Sequence, residues 1–484
     1  MDNSVKDKTQ VQIKNESVSD IDRVFQIQKS KMYHPPSFSL KERKDRLKRL
    51  HQAVLHYQKD IQEALYLDFQ KNPGETDLSE ILAITSEIKH SLRHLKKWMK
   101  PKRVSTPLSL FGSVSHIRQE PKGVVLIISP WNFPFNLTFG PLVSALAGGN
   151  RVILKPSEMT PHSSSLIKRI VKNTFTEEEV AVFEGDHTVA QALLEKPFDH
   201  IFFTGSPQVG KIVMGAAAKN LSSVTLELGG KSPVIIDHSA DIKEAAQKIC
   251  WGKFINNGQT CIAPDYILVH ESKKEEFIEN MRIFIEKAYG EETDIISSND
   301  YARIVNQNHF TRINHLLEEA IEKGAKVRFG GITKSSERFI SPTLLDNVDL
   351  NSKVMQEEIF GPVLPIISYS DLEEALHLIQ KKEKPLALYV YSKNRRNIRD
   401  ILQNTSAGGS CVNDNVLHFF QLNLPFGGVN NSGIGKAHGF HGFQAFSNER
   451  GVLRQPTKFS AAKLMFPPYT KTVRKLIELT IKWL

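Results

Sequence analysis

Two doubly wound α/β domains are predicted for this chain, and three observations carry the prediction. Its 484 residues exceed what one ordinary core holds, so two or three domains are expected. From residue 123 onward, short β-rich runs alternate with segments of helical period, which is the signature of a parallel sheet with crossover helices. The same alternation restarts after residue 231.

The elements follow in order. Residues 1–20 read as a polar arm without the apolar centre of a secretory signal. Residues 40–100 read as amphipathic helices with few breakers. Their basic residues, in KERKDRLKRLHQAVLHYQKD (41–60) and HSLRHLKKWMKPKR (90–103), interleave with Leu and Trp and are read as solvated faces. The first set of strands is GVVLIISP (123–130), RVILKP (151–156), AVFEG (181–185), HIFFTG (200–205) and SVTLELGG (223–230). Helices are expected over 141–147, 163–171, 189–194 and 209–219. The unbroken apolar run VVLII fits a strand buried on both faces. A second set comprises SPVIID (232–237), DYILVH (265–270), KVRFGG (326–331), VLPIISY (363–369) and LALYVYS (386–392). Helical stretches over 273–289 and 371–382 separate them, and Ser239 or Asp241 is the candidate cap of the helix that follows 237. PFGGVNNSGIGKAHG (425–439) marks a loop or hairpin.

Composition narrows the function. The chain carries three cysteines, scattered, with no CxxC pair and no Cys/His cluster at metal-ligand spacing. That usage suits a reducing, cytoplasmic setting, and no metal is expected. No run of 18 apolar residues appears, so no spanning helix is expected. The formal net charge of +10 is compatible with anionic cofactors, nucleic acid or an acidic membrane surface. Zinc-finger spacing and RNP-like aromatics are both missing, so no nucleic-acid partner is expected.

Five motifs could carry chemistry. In NNGQTCIAPDY (256–266), Cys261 sits between glycine and proline punctuation; it is either a small buried hydrophobe or a nucleophile. In SVTLELGGKSP (223–233), Val224, Leu226 and Leu228 share one face of a strand and Glu227 the other. A glutamate there is salt-bridged or is a general base with a raised pKa. In SPWNFPFNL (129–137), Asn132 caps a turn or donates its amide to an oxyanion. In GSPQVGK (205–211), Gly205 and Gly210 stand at P-loop spacing. Ile212 occupies the position where a P-loop needs Ser or Thr, so a tight turn or a dinucleotide site of unusual spacing remains. In QEEIFGPVLP (356–365), Glu358 could bind ribose hydroxyls and Phe360 could lie against a flat ring.

Together and in this order, these motifs resemble the aldehyde dehydrogenase superfamily. ILKPSE (153–158) and PFGGVNNSGIG (425–435) belong to the match, which spans roughly residues 20–455. CIAPDY and SGIGKAHGFHGFQAFSNERGVL (432–453) resemble the class 3 branch, which includes fatty-aldehyde and coniferyl-aldehyde dehydrogenases. The resemblance implies Cys261 as nucleophile and Glu227 as general base. Asn132 and the Cys261 backbone N–H would form the oxyanion hole. It implies that Lys155 contacts the adenosine ribose with Glu158 nearby, and that Gly205, Ser206 and Gly210 line the pyrophosphate. Glu358 would hold the nicotinamide ribose, with Phe360 packing near the ring. NAD is the expected cofactor, because Glu158 would repel a 2′-phosphate; NADP is the second candidate. The implied division is an NAD(P)-binding domain (21–103 and 121–230), a catalytic domain (231–412) and a bridging β-element used for homodimerisation (104–120 and 413–450). A tail (451–484) follows.

The expected activity is oxidation of an apolar aldehyde, medium to long aliphatic or aromatic, to its acid. Phe419, Phe420 and Leu422 suggest an apolar funnel. Two rivals are a CoA-acylating enzyme of the same fold, disfavoured by the water-activating Glu227, and a non-catalytic scaffold, disfavoured by the intact Cys261, Glu227 and Asn132. Residues 470–484, TKTVRKLIELTIKWL, form a basic amphipathic helix. Its destination is an anionic membrane surface, the protein's own surface or the dimer partner.

Overall fold

A computed structural model describes residues 15–32 and 38–483. Most of the expected polar arm lies outside the described residues. Its last part is already ordered: Ser17 caps a helix, Val18–Ser30, by accepting from the Asp20 N–H.

The first alternation builds a six-stranded sheet in the order Gly433–Ile434, Ser223–Leu228, His200–Gly205, Val124–Ile128, Arg151–Lys155, Val180–Val182. All pairings are parallel except the short outer strand Gly433–Ile434, which runs antiparallel to Ser223–Leu228. The chain enters at the centre, builds outward through Arg151–Lys155, then returns to the other side with His200–Gly205. Strand order therefore reverses between Val124–Ile128 and His200–Gly205, and a crevice opens where their carboxyl ends diverge. All five residues of Val124–Ile128 are buried, as their apolar run requires.

The second alternation builds a seven-stranded sheet in the order Lys326–Phe329, Thr343–Asp346, Val363–Tyr369, Tyr266–His270, Pro233–Ile236, Ala387–Tyr391, Gly409–Val412. Only Lys326–Phe329 runs antiparallel. Asp241, rather than Ser239, caps the helix Ile242–Phe254 by accepting from the Glu244 N–H. Thr343–Asp346 and Gly409–Val412 are strands beyond those expected from the sequence. A third, antiparallel sheet joins Lys102–Val104, Val114–Pro121 and Ser447–Arg454. Residues 413–446 take no strand in it.

Two expectations fail here. The helix expected from Pro141 begins at Asn136 and keeps Pro141 inside it; buried packing of the helix on both sheet and neighbours outweighs the lost hydrogen bond. The basic helices are not simply solvated. Arg43 and Arg46 are buried. The Arg43 guanidinium donates to the Ala147 carbonyl and Arg46 to the Asn150 carbonyl, where the sheet's connections leave acceptors without backbone partners. Arg46 also stands 3.5 Å from Glu179. Charge and periodicity look the same in sequence whether a helix face meets water or orphan carbonyls.

Replacing Arg46 with Ala leaves the Asn150 carbonyl and Glu179 short of a donor and should destabilise the protein by about 1–3 kcal/mol. The exposed neighbour Lys48→Ala should change it by less than about 0.5 kcal/mol. Urea midpoints of the two variants against the parent check both.

Candidate active site

A cavity of about 1260 Å³ lies between the two large sheets. Asn132, Gly205, Ser206, Glu227, Cys261, Glu358 and Phe360 all line it. Lys155, Glu158 and Gly210 do not appear in its lining. Lys155 ends the strand Arg151–Lys155, and its ammonium bonds Glu158 at 2.7 Å. Gly210 faces the strand instead: a Cβ there would meet Leu228 at 2.8 Å, so its smallness lets the helix approach the sheet.

Cys261 is delivered by a segment of unusual backbone. Asn256 (φ 52), Asn257 (φ 57) and Gly258 (φ 72) are successive left-handed residues. Asparagine tolerates this conformation because its amide can bond locally. Gly258 is required for a second reason: a Cβ there would stand 2.3 Å from the Gly361 carbonyl oxygen. The loop carrying the cysteine thus lies directly on the loop carrying Glu358 and Phe360. The Gln259 amide donates to the Asn256 and Arg303 carbonyls, and its oxygen accepts from the Val305 N–H, so the segment is tied on three sides. Asn132 reaches it from the first sheet, donating its amide to the Gln259 carbonyl at 3.1 Å.

Burial pushes the Cys261 thiol up to about 12, and the nearby Glu358 and Glu227 carboxyls add to the effect. By itself the cysteine is a protonated thiol at neutral pH. Cys250 is buried and Cys411 half-buried.

Glu227 is buried with neither carboxyl oxygen bonded. Burial holds its pKa well above the usual carboxylate range, and the Lys436 ammonium works the other way. Lys436 itself is anchored by donation to the Gly427 and Gly428 carbonyls. A Cβ on Gly427 would stand 2.9 Å from Glu227 Oε1, so the glycine loop covers the carboxyl closely. Among the described residues, the salt bridge that was the alternative for Glu227 is not formed.

Glu358 packs on Gly229, where a Cβ would fall 2.2 Å from its Oε2. Burial, with Asp265 adding, raises it to about 8. Asp265 is occupied by the Lys231 ammonium and by the Ile359 N–H at 2.9 Å. These two residues, and Arg312 donating to the Glu358 and Ile359 carbonyls, hold the Glu358 loop and were not singled out in the sequence. Lys231 and Asp265 sit inside the two most conspicuous motifs, LELGGKSP and CIAPDY, so that position was the available signal.

The other side of the cavity is apolar. Trp251, Leu417, Phe419, Phe420 and Leu422 line it, with Leu78 and Leu82 from the helical region. The predicted funnel residues Phe419, Phe420 and Leu422 are all present. His438 also lines it, in a left-handed conformation (φ 68), with its Nδ1 buried and unbonded.

A model of the aldehyde dehydrogenase family matches residues 2–452. The chain belongs to the aldehyde dehydrogenase family. It is 47% identical over 427 residues to the 4,4′-diaponeurosporen-aldehyde dehydrogenase of Staphylococcus aureus, covering 88% of this chain and 92% of that protein. It is 41% identical over 430 residues to a dimeric NADP-preferring aldehyde dehydrogenase of Canis lupus familiaris, covering 89% of this chain and 93% of that protein. The structure of a substrate-bound state of Staphylococcus aureus AldH superimposes with a TM-score of 0.91 at 44% identity, covering 95% of this chain and 99% of that one. The class 3 likeness read from CIAPDY agrees with these relatives. The chain is therefore an NAD(P)-dependent aldehyde dehydrogenase.

The residues present fit such a cofactor. The helix Pro207–Lys219 opens on the cavity with Ser206 as its cap, accepting from the Val209 N–H. A helix N-terminus of this kind attracts a pyrophosphate. Pro207 takes the first helical position, where the missing N–H costs nothing.

Burial lowers the His438 pKa from 6.5 to about 4. A depressed histidine stabilises the fold above its unfolded value, and this contribution is lost as pH falls from 6.5 toward about 4. His438→Phe should flatten that acid-side loss, measured as urea midpoint against pH.

Proposed function

We propose that the chain oxidises apolar aldehydes, medium to long aliphatic or aromatic, to carboxylic acids through a thioester on Cys261. The observation that supports it most is the placing of Cys261, Asn132 and the unbonded, buried Glu227 on one cavity with an apolar wall. A nucleophile, an oxyanion donor and a base are the parts an acyl-transfer site needs. That the Staphylococcus aureus relative is named for an aldehyde of 4,4′-diaponeurosporen is consistent with the apolar wall.

In this reading, the Cys261 sulfur attacks the carbonyl carbon and its proton passes to Glu227, whose burial favours the protonated carboxyl. The oxygen of the resulting thiohemiacetal is held by the Asn132 amide and the Cys261 backbone N–H, each worth about 3 kcal/mol to the transition state. Bound NAD(P)+ supplies the hydride acceptor by which the thiohemiacetal becomes a thioester. Glu227 releases the Cys261 proton to solvent and then takes one from water, whose oxygen attacks the thioester; the C–S bond breaks to give the acid, and the Cys261 sulfur regains its proton from Glu227. Glu358 and Phe360 hold the nicotinamide end, Gly205 and Ser206 the pyrophosphate, and Lys155 with Glu158 the adenosine ribose. Gly210 serves by letting the phosphate-facing helix sit close to Leu228.

The same reading assigns residues 21–103 and 121–230 to cofactor binding and 231–412 to catalysis. The antiparallel sheet of Lys102–Val104, Val114–Pro121 and Ser447–Arg454 is the candidate homodimer surface. The canine relative is named as dimeric. Peripheral membrane contact is assigned to the helix Lys471–Trp483. Leu476, Leu479, Ile481 and Trp483 are exposed there beside Lys471, Arg474, Lys475 and Lys482. Among the described residues no helix is long and apolar enough to cross a membrane.

Three outcomes test the reading. Cys261→Ala should abolish formation of reduced cofactor with every aldehyde, and Asn132→Ala should lower kcat by about 10²–10³-fold; activity surviving in Cys261→Ala sinks the mechanism. Glu158→Gln should raise kcat/KM with NADP relative to NAD, since it removes a negative charge beside the ribose; an unchanged ratio removes Glu158 from cofactor choice. The full chain should sediment with anionic vesicles and a chain ending at Pro468 should not; equal binding removes the helix from that role.

A further inference from the structure

The oxyanion site is built from two loops of different sheets. Asn132 follows the strand Val124–Ile128, and Cys261 follows the left-handed turn at Asn256–Gly258. Their register depends on a third element, the short helix Pro73–Thr76 continuing into the π-helical turn Asp77–Ile81. π-turns recur at functional positions because the extra residue re-aims side chains. Here the segment sends one carboxylate to each loop.

Glu75 accepts from the Asn256 N–H at 2.9 Å. Glu80, fully buried, accepts from the Asn136 N–H at 2.6 Å, while the Asn136 amide donates back to the Ser79 carbonyl at 3.1 Å. The two loops are then stitched to each other. The Asn256 amide donates to the Asn132 carbonyl at 2.8 Å and to the Gln259 carbonyl at 3.2 Å, and the Asn132 amide meets the same Gln259 oxygen. Glu75 and Glu80 are thus the outer anchors of the pair of residues that frame the oxyanion.

Two carboxylates this deep need a positive charge nearby. Lys71 provides it. Its side chain is fully buried, its Nζ has no hydrogen-bond partner among the described residues, and it stands 3.9 Å from Glu80 Oε1. The ammonium lies 4.6 Å from the ring centre of Phe133, the residue after Asn132, and 5.2 Å from that of Phe69. Burial raises both carboxyls, Glu80 to about 7, and the Lys71 ammonium works the other way. A buried lysine bonded to nothing is costly to keep, and nothing in the chemical steps above uses it.

We propose that Lys71 is a positioning residue for the oxyanion site. Its charge offsets the burial of Glu75 and Glu80, which accept from the Asn256 and Asn136 N–H groups, and so holds Asn132 in register with the Cys261 backbone N–H. The proposal rests on the thioester reading of Cys261 and Asn132. It assigns Lys71 no contact with substrate or cofactor.

Steady-state kinetics on the full chain tests it, with Lys71→Met and the double variant Lys71→Met/Glu80→Gln. The single variant removes the cation and keeps its shape. The double variant restores charge balance and keeps an acceptor for the Asn136 N–H. Lys71→Met should lower kcat by tenfold or more, with the Kd for NAD measured by calorimetry unchanged within twofold. Adding Glu80→Gln should return kcat to within threefold of the parent. A parental kcat in Lys71→Met overturns the proposal, as do equal losses in both variants or a loss of NAD affinity matching that of kcat. If Lys71→Met does not fold, the double variant decides alone: folded and near-parental supports the role, while folded but slow, or unfolded, overturns it. Failure of the underlying reading is separate, since it shows as activity surviving in Cys261→Ala.

Discussion

Three successive residues in left-handed backbone, Asn256, Asn257 and Gly258, carry the constraint on which the site depends. They turn the chain sharply enough to project Cys261 into the cavity between the sheets. Such a conformation is unfavourable for side-chain-bearing residues and persists only where its surroundings over-determine it. The surroundings do so here by hydrogen bonds to Asn132, Arg303 and Val305, by Glu75 on the Asn256 N–H, and by the close seat of Gly258 on Gly361. Release of any of these leaves the cysteine attached to a loop with ordinary alternatives.

Electrostatics at the site run against ionisation. The Cys261 thiol and the Glu227 and Glu358 carboxyls are all raised by burial, and the two carboxyls raise the thiol further. The arrangement suits a site in which one proton is handed between sulfur and carboxyl, because neither group holds a charge cheaply. It also gives Lys436, fixed beneath the glycine loop and facing Glu227, and Lys231, fixed on Asp265, the task of limiting how far these values rise. Water is the poorest ligand for such a cavity on its apolar side, where Trp251, Phe419 and Phe420 stand.

The seven motif residues that line the cavity were legible because each type answers a chemical need and lies in a stretch of unusual punctuation. Gly210 packs on Leu228 and does not line the cavity; glycine at a strand-to-helix turn has two uses, approach to a ligand and approach to a strand, and sequence spacing does not separate them. Lys71, Glu75 and Glu80 were passed over because a charged residue at helical spacing looks the same whether it faces water or an orphan N–H. Arg43 and Arg46 were misread for that reason. Glu227 shows the converse: alternation placed it on a strand face opposite Leu226 and Leu228, yet only the structure shows that no cation bonds it.

The sequence by itself determined the alternation of strand and helix, the burial of Val124–Ile128, the break between the two sheets near residue 231, and the candidates for nucleophile and base. These are local: period, punctuation and side-chain chemistry are read over ten or so residues. Tertiary structure alone decided which strands sit side by side at the reversal of order, which charged residues are withdrawn from water, and how Asn132 and Cys261 meet. Those depend on contacts between residues such as Glu80 and Asn136, or Gly258 and Gly361, that lie 56 and about a hundred positions apart. Their energies come from desolvation and hydrogen-bond geometry, which exist only once the chain has closed on itself.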